Sequence, residues 1–275
     1  MSAANTLQEH SLFDIACPQA QTQASVQALK VRDLHVTFNG TDYLYQGLDL
    51  DIEQGDKIAI IGSNGAGKST LMRACLGIIE SRAKEVSFFG QSLHINQGSR
   101  ANKQILAKVG FVHQKHNIMG RLSVLSNVLH GALGRTRFRP LCWTQTTAPQ
   151  HLREEAIECL KQVGLADFAA RPAGSLSGGQ AQRVAIARAL MQQPTLIVAD
   201  EPVASLDPVA GEEIMSLFSK LASEKNVTLV FISHHLSHAV KYADRIIGLK
   251  NGKVDLDVAS SDTTVEKLGA IYDYA

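Results

Sequence analysis

The chain has 275 residues, and its 27 Lys and Arg nearly cancel its 26 Asp and Glu. That length buries one sizeable core with room for an inserted subdomain, and the near-neutral balance argues against a globally basic nucleic-acid binder. The longest apolar runs, at 196–199 and 228–232, fall far short of the roughly 18–20 residues that cross a bilayer, while Cys17, Cys75, Cys142 and Cys159 lack the spacing of a disulfide framework or a thiolate zinc site.

Residues 1–27 are rich in Ala, Gln, Ser and Thr and carry neither a basic n-region nor a long apolar stretch. They are predicted to be a poorly ordered extension, not a secretory signal. Strands are expected over 28–38, 48–52 and 57–61, a helix after Gly67, and strands again over 84–89 and 108–112. Helical patterns dominate from about 113 to 192, notably over 152–163 and 181–191, and β and α then alternate from 195 onward. The fold class is therefore α/β: a core over 28–113 and 194–275 interrupted by a helical subdomain over 114–193.

Within that frame, the run Gly62, Ser63, Asn64, Gly65, Ala66, Gly67, Lys68, Ser69 fits G-x-x-x-x-G-K-[ST] directly after the apolar strand residues Ile58 to Ile61. The glycines let several N–H groups point inward, and a helix opening near Gly67 adds its positive end at the same place. Lys68 is suited to the β- and γ-phosphates of a nucleotide and the Ser69 hydroxyl to Mg²⁺. A second strand, ending in Asp200 and Glu201, delivers one carboxylate to the metal and a second to the attacking water as general base. Between them stand Leu176, Ser177, Gly178, Gly179 and Gln180, and the apolar spacing of Val184, Ala187 and Leu190 marks a helix whose N-terminus is the segment 177–179. That helix start offers a further anion site. His234 and His238 stand at i, i+4, but no glutamate follows His234 as in H-E-x-x-H, so a zinc site is not expected there.

With this pentapeptide, LSGGQ, standing between the phosphate loop and the Asp-Glu strand, the chain resembles the ATP-binding cassette family from about Ala28 to Leu256. The resemblance implies a P-loop NTPase core with an inserted helical subdomain and an N-terminal antiparallel β part. It implies ATP held by Phe38, the residues 62–69, Thr70, and Ser177, Gly178, Gly179 and Gln180. Mg²⁺ falls to Ser69, Gln114 and Asp200, and hydrolysis to Lys68, Gln114, Glu201 and His234. In the family's pattern Gln114 is the glutamine joining core to helical subdomain, Ser205-Leu206-Asp207 is the loop that crosses to a second protomer, and His234 is the switch histidine. Two copies are expected to pair head to tail, each ATP lying between the phosphate loop of one and the LSGGQ segment of the other.

A single cassette without a membrane span is similar to importer motors that dock on separate integral-membrane permease subunits at the cytoplasmic face of the inner membrane. A solute-binding protein would be an indirect partner, and no nucleic acid is expected. Gly120 to Val128, Gly131 to Arg135 and Asp200 to Asp207 closely resemble the phosphonate-importer branch. The alternatives are an importer ATPase for another solute, or a soluble cassette ATPase of DNA repair or translation, whose coiled coils, zinc modules or second cassette are not seen here. The basic stretch 135–143, RTRFRPLCW, suits either permease or headgroup docking or an ordinary solvated loop. No C-terminal regulatory domain is expected.

Overall fold

The computed structural model describes residues 27–136 and 139–272, so the predicted extension lies outside the described residues apart from Gln27. The first half contains β1 (Gln27–Thr37), β2 (Tyr43–Glu53), β3 (Lys57–Ile61), α1 (Lys68–Cys75), β4 (Glu85–Phe88), β5 (Gln91–Ser92), α2 (Arg100–Leu106) and β6 (Val109–Val112). Helices α3 (Val124–Leu129), α4 (Gln150–Gln162) and α5 (Gly178–Met191) follow, separated by 3-10 turns. The chain then runs through β7 (Leu196–Asp200), α6 (Pro208–Lys225), β8 (Thr228–Ile232), α7 (Leu236–Tyr242), β9 (Arg245–Lys250), β10 (Lys253–Ala259) and α8 (Val265–Tyr272).

The strands make two sheets. One is antiparallel in the order β2-β1-β4-β5, and the other has the order β10-β9-β3-β8-β7-β6. In the second, β9, β3, β8, β7 and β6 are parallel, and β10 closes one edge as an antiparallel hairpin with β9. Parallel strands must be covered on both faces, which is why 58–61, 196–199 and 229–232 read as continuous apolar runs and not as alternating ones. The period of two still operates inside those runs. Ile58, Ile60, Val198, Val230 and Ile232 join the core shared with β1, β2 and α1, whereas Ala59, Ile61, Ile197, Ala199 and Phe231 join the core shared with α3 to α7.

One strand starts well before the sequence expectation, and one helix starts at the expected segment. Strand β2 begins at Tyr43, five residues before the predicted start, because its first part pairs with β1 through several register shifts that break the alternation. Helix α5 begins at Gly178 because Ser177 caps it: the Ser177 hydroxyl accepts from the Gln180 N–H at 3.3 Å, and the Gln180 side chain accepts from the Ser177 N–H at 3.1 Å. Asp207 caps α6 in the same way, accepting from the N–H groups of Val209 and Ala210, with Pro208 at the first helical position.

Candidate active site

The parallel order β6-β7-β8-β3 lines up four chain segments at one sheet edge, the C-terminal end of the strands where α/β proteins bind ligands. Gln114 follows β6, Asp200 and Glu201 end β7, His234 follows β8, and the 62–67 loop follows β3. The register sets them abreast. Val112 is opposite Ala199, Asp200 is opposite Ile232, and Ile60 is opposite that same Ile232.

The loop after β3 needs glycine at two points for reasons the surroundings impose. Gly62 has φ 149° and passes so close to β9 that a Cβ there would lie 2.4 Å from the Leu249 carbonyl oxygen. Gly67, at φ 91°, caps α1, and a Cβ there would lie 2.5 Å from the Tyr45 hydroxyl. That hydroxyl donates to the Ala66 carbonyl at 3.2 Å. Tyr45 is itself buried, and burial holds its phenol protonated far above the usual range. Strand β2 thus props the loop from behind.

Lys68 is 5 % exposed, with its ammonium donating to the Gly62 carbonyl at 2.7 Å and to the Ser63 carbonyl at 3.0 Å. Burial lowers its pKa, opposed by the negative charges of Glu201 and Asp200. Asp200 is 1 % exposed, and both of its oxygens are engaged. The Ser69 hydroxyl donates to Oδ1, and the Arg73 guanidinium donates to Oδ2 at 2.9 Å. Glu201 adopts φ 49°, a left-handed conformation uncommon outside glycine, which turns its side chain off the strand end into contact with His234 Nε2. The half-buried His113, beside Gln114, has its pKa lowered by burial and by the charges of Arg188 and Arg73.

Ser69 and Asp200 offer hard oxygen donors, one hydroxyl and one carboxylate, in direct contact. That donor set fits Mg²⁺, which takes few protein ligands and keeps most of its waters. Gln114 is exposed at the end of β6, on the same edge. Phe38 stands just past β1 with 76 % of its surface exposed, beside a cavity of about 520 Å³ lined also by His35, Thr37 and Tyr43.

Ser177 to Gln180 are placed elsewhere: Gly178 packs on Leu206 and Gly179 on Ala210, at the start of α6. As the first residues of α5, Gly178 and Gly179 have N–H groups without an intrahelical acceptor.

His234, just after a strand, is not helical, as its place in the sequence suggests. Helix α7 begins at Leu236, so His234 lies outside it and does not share a face with His238. His238 instead faces Glu212 at 3.4 Å and Tyr242.

Arg135 is engaged within the chain. It is half-buried, donating to the Met191 carbonyl at 2.9 Å and pairing with Glu155, so it ties the stretch before 136 to α4 and α5. Arg137 and Phe138 lie outside the described residues. Trp143 is half exposed and packs edge-on against His130.

Three site-supporting residues were missed from sequence: Tyr45, Arg73 and Arg188. Arg73 had a usable signal, since it stands four residues after Ser69 and so on the same helix face. The other two act across long separations. Arg188 of α5 donates to the carbonyls of His116 at 2.9 Å and Asn117 at 2.7 Å, just beyond Gln114.

Known proteins resemble this chain in sequence and in fold. The family model described as ABC transporter matches residues 45–204. The phosphonates import ATP-binding protein PhnC of Frankia casuarinae is 43% identical over 233 residues, covering 82% of this chain and 91% of that protein. The phosphate-import ATP-binding protein PhnC of Mycolicibacterium smegmatis is 41% identical over 242 residues, covering 88% and 90% respectively. Among solved structures, the dimeric post-hydrolysis state of the ATP-binding cassette MJ0796 bound to ADP and Pi superimposes with a TM-score of 0.70 at 32% identity, covering 84% of this chain and 98% of that one.

Proposed function

This chain belongs to the ABC transporter family, and from that footing we propose that it is the ATP-hydrolysing motor of an importer for phosphonates or related phosphorus oxyanions. The observation that carries the motor is the alignment of Gln114, Asp200, Glu201, His234 and the phosphate loop along one sheet edge. The cargo class rests on the named relatives, one importing phosphonates and one phosphate, each matched over about nine-tenths of its length.

In this reading the N–H groups of the 62–67 loop and the Lys68 ammonium bind the ATP phosphates, with Lys68 exchanging its carbonyl partners for phosphate oxygens. Ser69, Asp200 and Gln114 would hold Mg²⁺, which when bound neutralises charge on the β- and γ-phosphates. Glu201 takes a proton from the attacking water, and His234, touching its carboxylate, orients it toward the γ-phosphate. Phe38 offers its exposed ring to the adenine. Residues 114–193 form the subdomain that presents Ser177, Gly178, Gly179 and Gln180 to ATP on a second copy, the free N–H groups of the α5 start binding its phosphate. Closure of such a dimer is favoured only by contacts that require the γ-phosphate, so hydrolysis releases it. Permease subunits at the cytoplasmic face of the membrane, and behind them a solute-binding protein, complete the importer.

The test is a pull-down from solubilised membranes with Glu201→Gln and Mg-ATP, identifying co-purifying chains by mass spectrometry. Recovery of a multi-span permease whose deletion abolishes phosphonate uptake supports the reading. Recovery of DNA, ribosomes or soluble partners alone overturns the transport role and leaves the ATPase standing.

A further inference from the structure

Asp200 is claimed twice. Its Oδ1 contacts the Ser69 hydroxyl and its Oδ2 takes a hydrogen bond from Arg73 at 2.9 Å, while the carboxylate is buried and the Arg73 side chain is 44% exposed. We propose that Arg73 is a positioning residue that competes with the divalent cation for Asp200 and so sets how readily that cation is bound and released with nucleotide. This deepens the reading above and rests on its placement of the metal at Ser69 and Asp200.

The physical case has three parts. A buried carboxylate is costly unless paired, so whichever cation it faces gains from its charge. Arg73 and a metal at Ser69 approach the same carboxylate from neighbouring positions, because residues four apart on α1 share one face. Two cations so placed repel each other, and the low polarity around Asp200 makes that repulsion felt. Half of the Arg73 side chain already stands in water, so the guanidinium can swing outward when the cation arrives and return when it leaves. The carboxylate then keeps its orientation through the cycle without having to bind the metal so tightly that product release stalls.

The experiment measures binding of a fluorescent ADP analogue as a function of free Mg²⁺ for the wild type, Arg73→Gln and Arg73→Lys, with circular dichroism to show that each variant is folded. Arg73→Gln is expected to lower the Mg²⁺ concentration at half-effect about threefold to tenfold and to leave ADP affinity in EDTA within twofold. Arg73→Lys, which keeps the charge, is expected to stay near the wild-type midpoint. An unchanged or raised midpoint in a folded Arg73→Gln overturns the proposal, as does a Lys variant indistinguishable from Gln. Asp200→Asn is the separate control: if Mg²⁺ dependence survives it intact, the metal assignment itself has failed, whatever Arg73 does.

Discussion

His234 Nε2 sits in hydrogen-bonding contact with a Glu201 carboxylate oxygen, across 33 residues of sequence, because β7 and β8 are paired neighbours that end side by side. The contact fixes which way the carboxylate faces at the end of its strand. Replacing Glu201 by Gln keeps the shape and removes the base. Turnover is expected to fall about 10²–10⁴-fold, with ATP binding nearly unchanged. His234→Ala is expected to lower turnover in the same direction by releasing Glu201 from its orientation. Single-turnover phosphate release, alongside equilibrium binding of a fluorescent ATP analogue, separates the two effects.

The prop under the phosphate loop gives a second test. Tyr45→Phe removes one hydrogen bond and should cost about 1 kcal/mol of stability. Gly67→Ala forces a side chain into a left-handed conformation and onto the Tyr45 hydroxyl, at a cost of roughly 1–3 kcal/mol. Because the Tyr45 oxygen is the nearest atom that the new methyl meets, the double variant should be less destabilised than the sum of the singles. Denaturant unfolding of the four proteins checks it.

Arg188 has no carboxylate partner among the described residues, and burial lowers its pKa. Its charge is spent on the two carbonyls beyond Gln114. Arg188→Gln is expected to destabilise the fold by about 1.5–3 kcal/mol and to speed amide exchange around 114–118. Exchange that stays at the wild-type rate in that segment would show that other contacts hold it.

A pH effect follows from His238. Burial lowers its pKa below 6.5, helped by the charges of His235 and Lys241 and opposed only in part by Glu212. The unfolded chain therefore holds the proton more readily, so this contribution to stability is complete above about pH 6.5 and is lost as the pH falls through the folded value. The unfolding midpoint should drop on acidification from pH 7 to 5, and His238→Gln should flatten that slope.

Arg135→Glu places a carboxylate against Glu155 in a half-buried site. Like charges there should lower the melting temperature by several degrees, an effect visible in the isolated protein. Charge reversal is thus a poor probe of docking at this position.

The strands of the sheet and the phosphate-loop motif at its edge were largely legible because they are written in short windows. Apolar runs of four or five residues, a glycine-rich turn and a capped helix start each carry their reason locally, as Ile58 to Ile61 and Ser177 with Gln180 show. What escaped is held by chain separation. Nothing near Arg135 announces Glu155 and the Met191 carbonyl, and nothing near Tyr45 announces the Ala66 carbonyl. A long polar side chain reads as a surface residue until its distant acceptor is seen. The early start of β2 escaped for a different reason, because register shifts erase the period of two.

Helix α5 is fastened toward both ends: near its start Arg183 donates to the Val163 carbonyl and to Glu213. Gln192, its C-cap, donates to the carbonyls of Leu106, Ala107 and Val109, and one turn earlier Arg188 grips the segment after Gln114. Taking Gln192 as a pivot, Arg188 lies roughly 6 Å along the axis and Ser177 roughly 22 Å, at 1.5 Å per residue. The helix is then a lever with arms in a ratio of nearly four. A rigid turn about Gln192 would carry a displacement at Arg188 nearly fourfold to the Ser177 tip, and the contacts of Arg183 with Val163 and Glu213 are what such a turn would have to break or carry along.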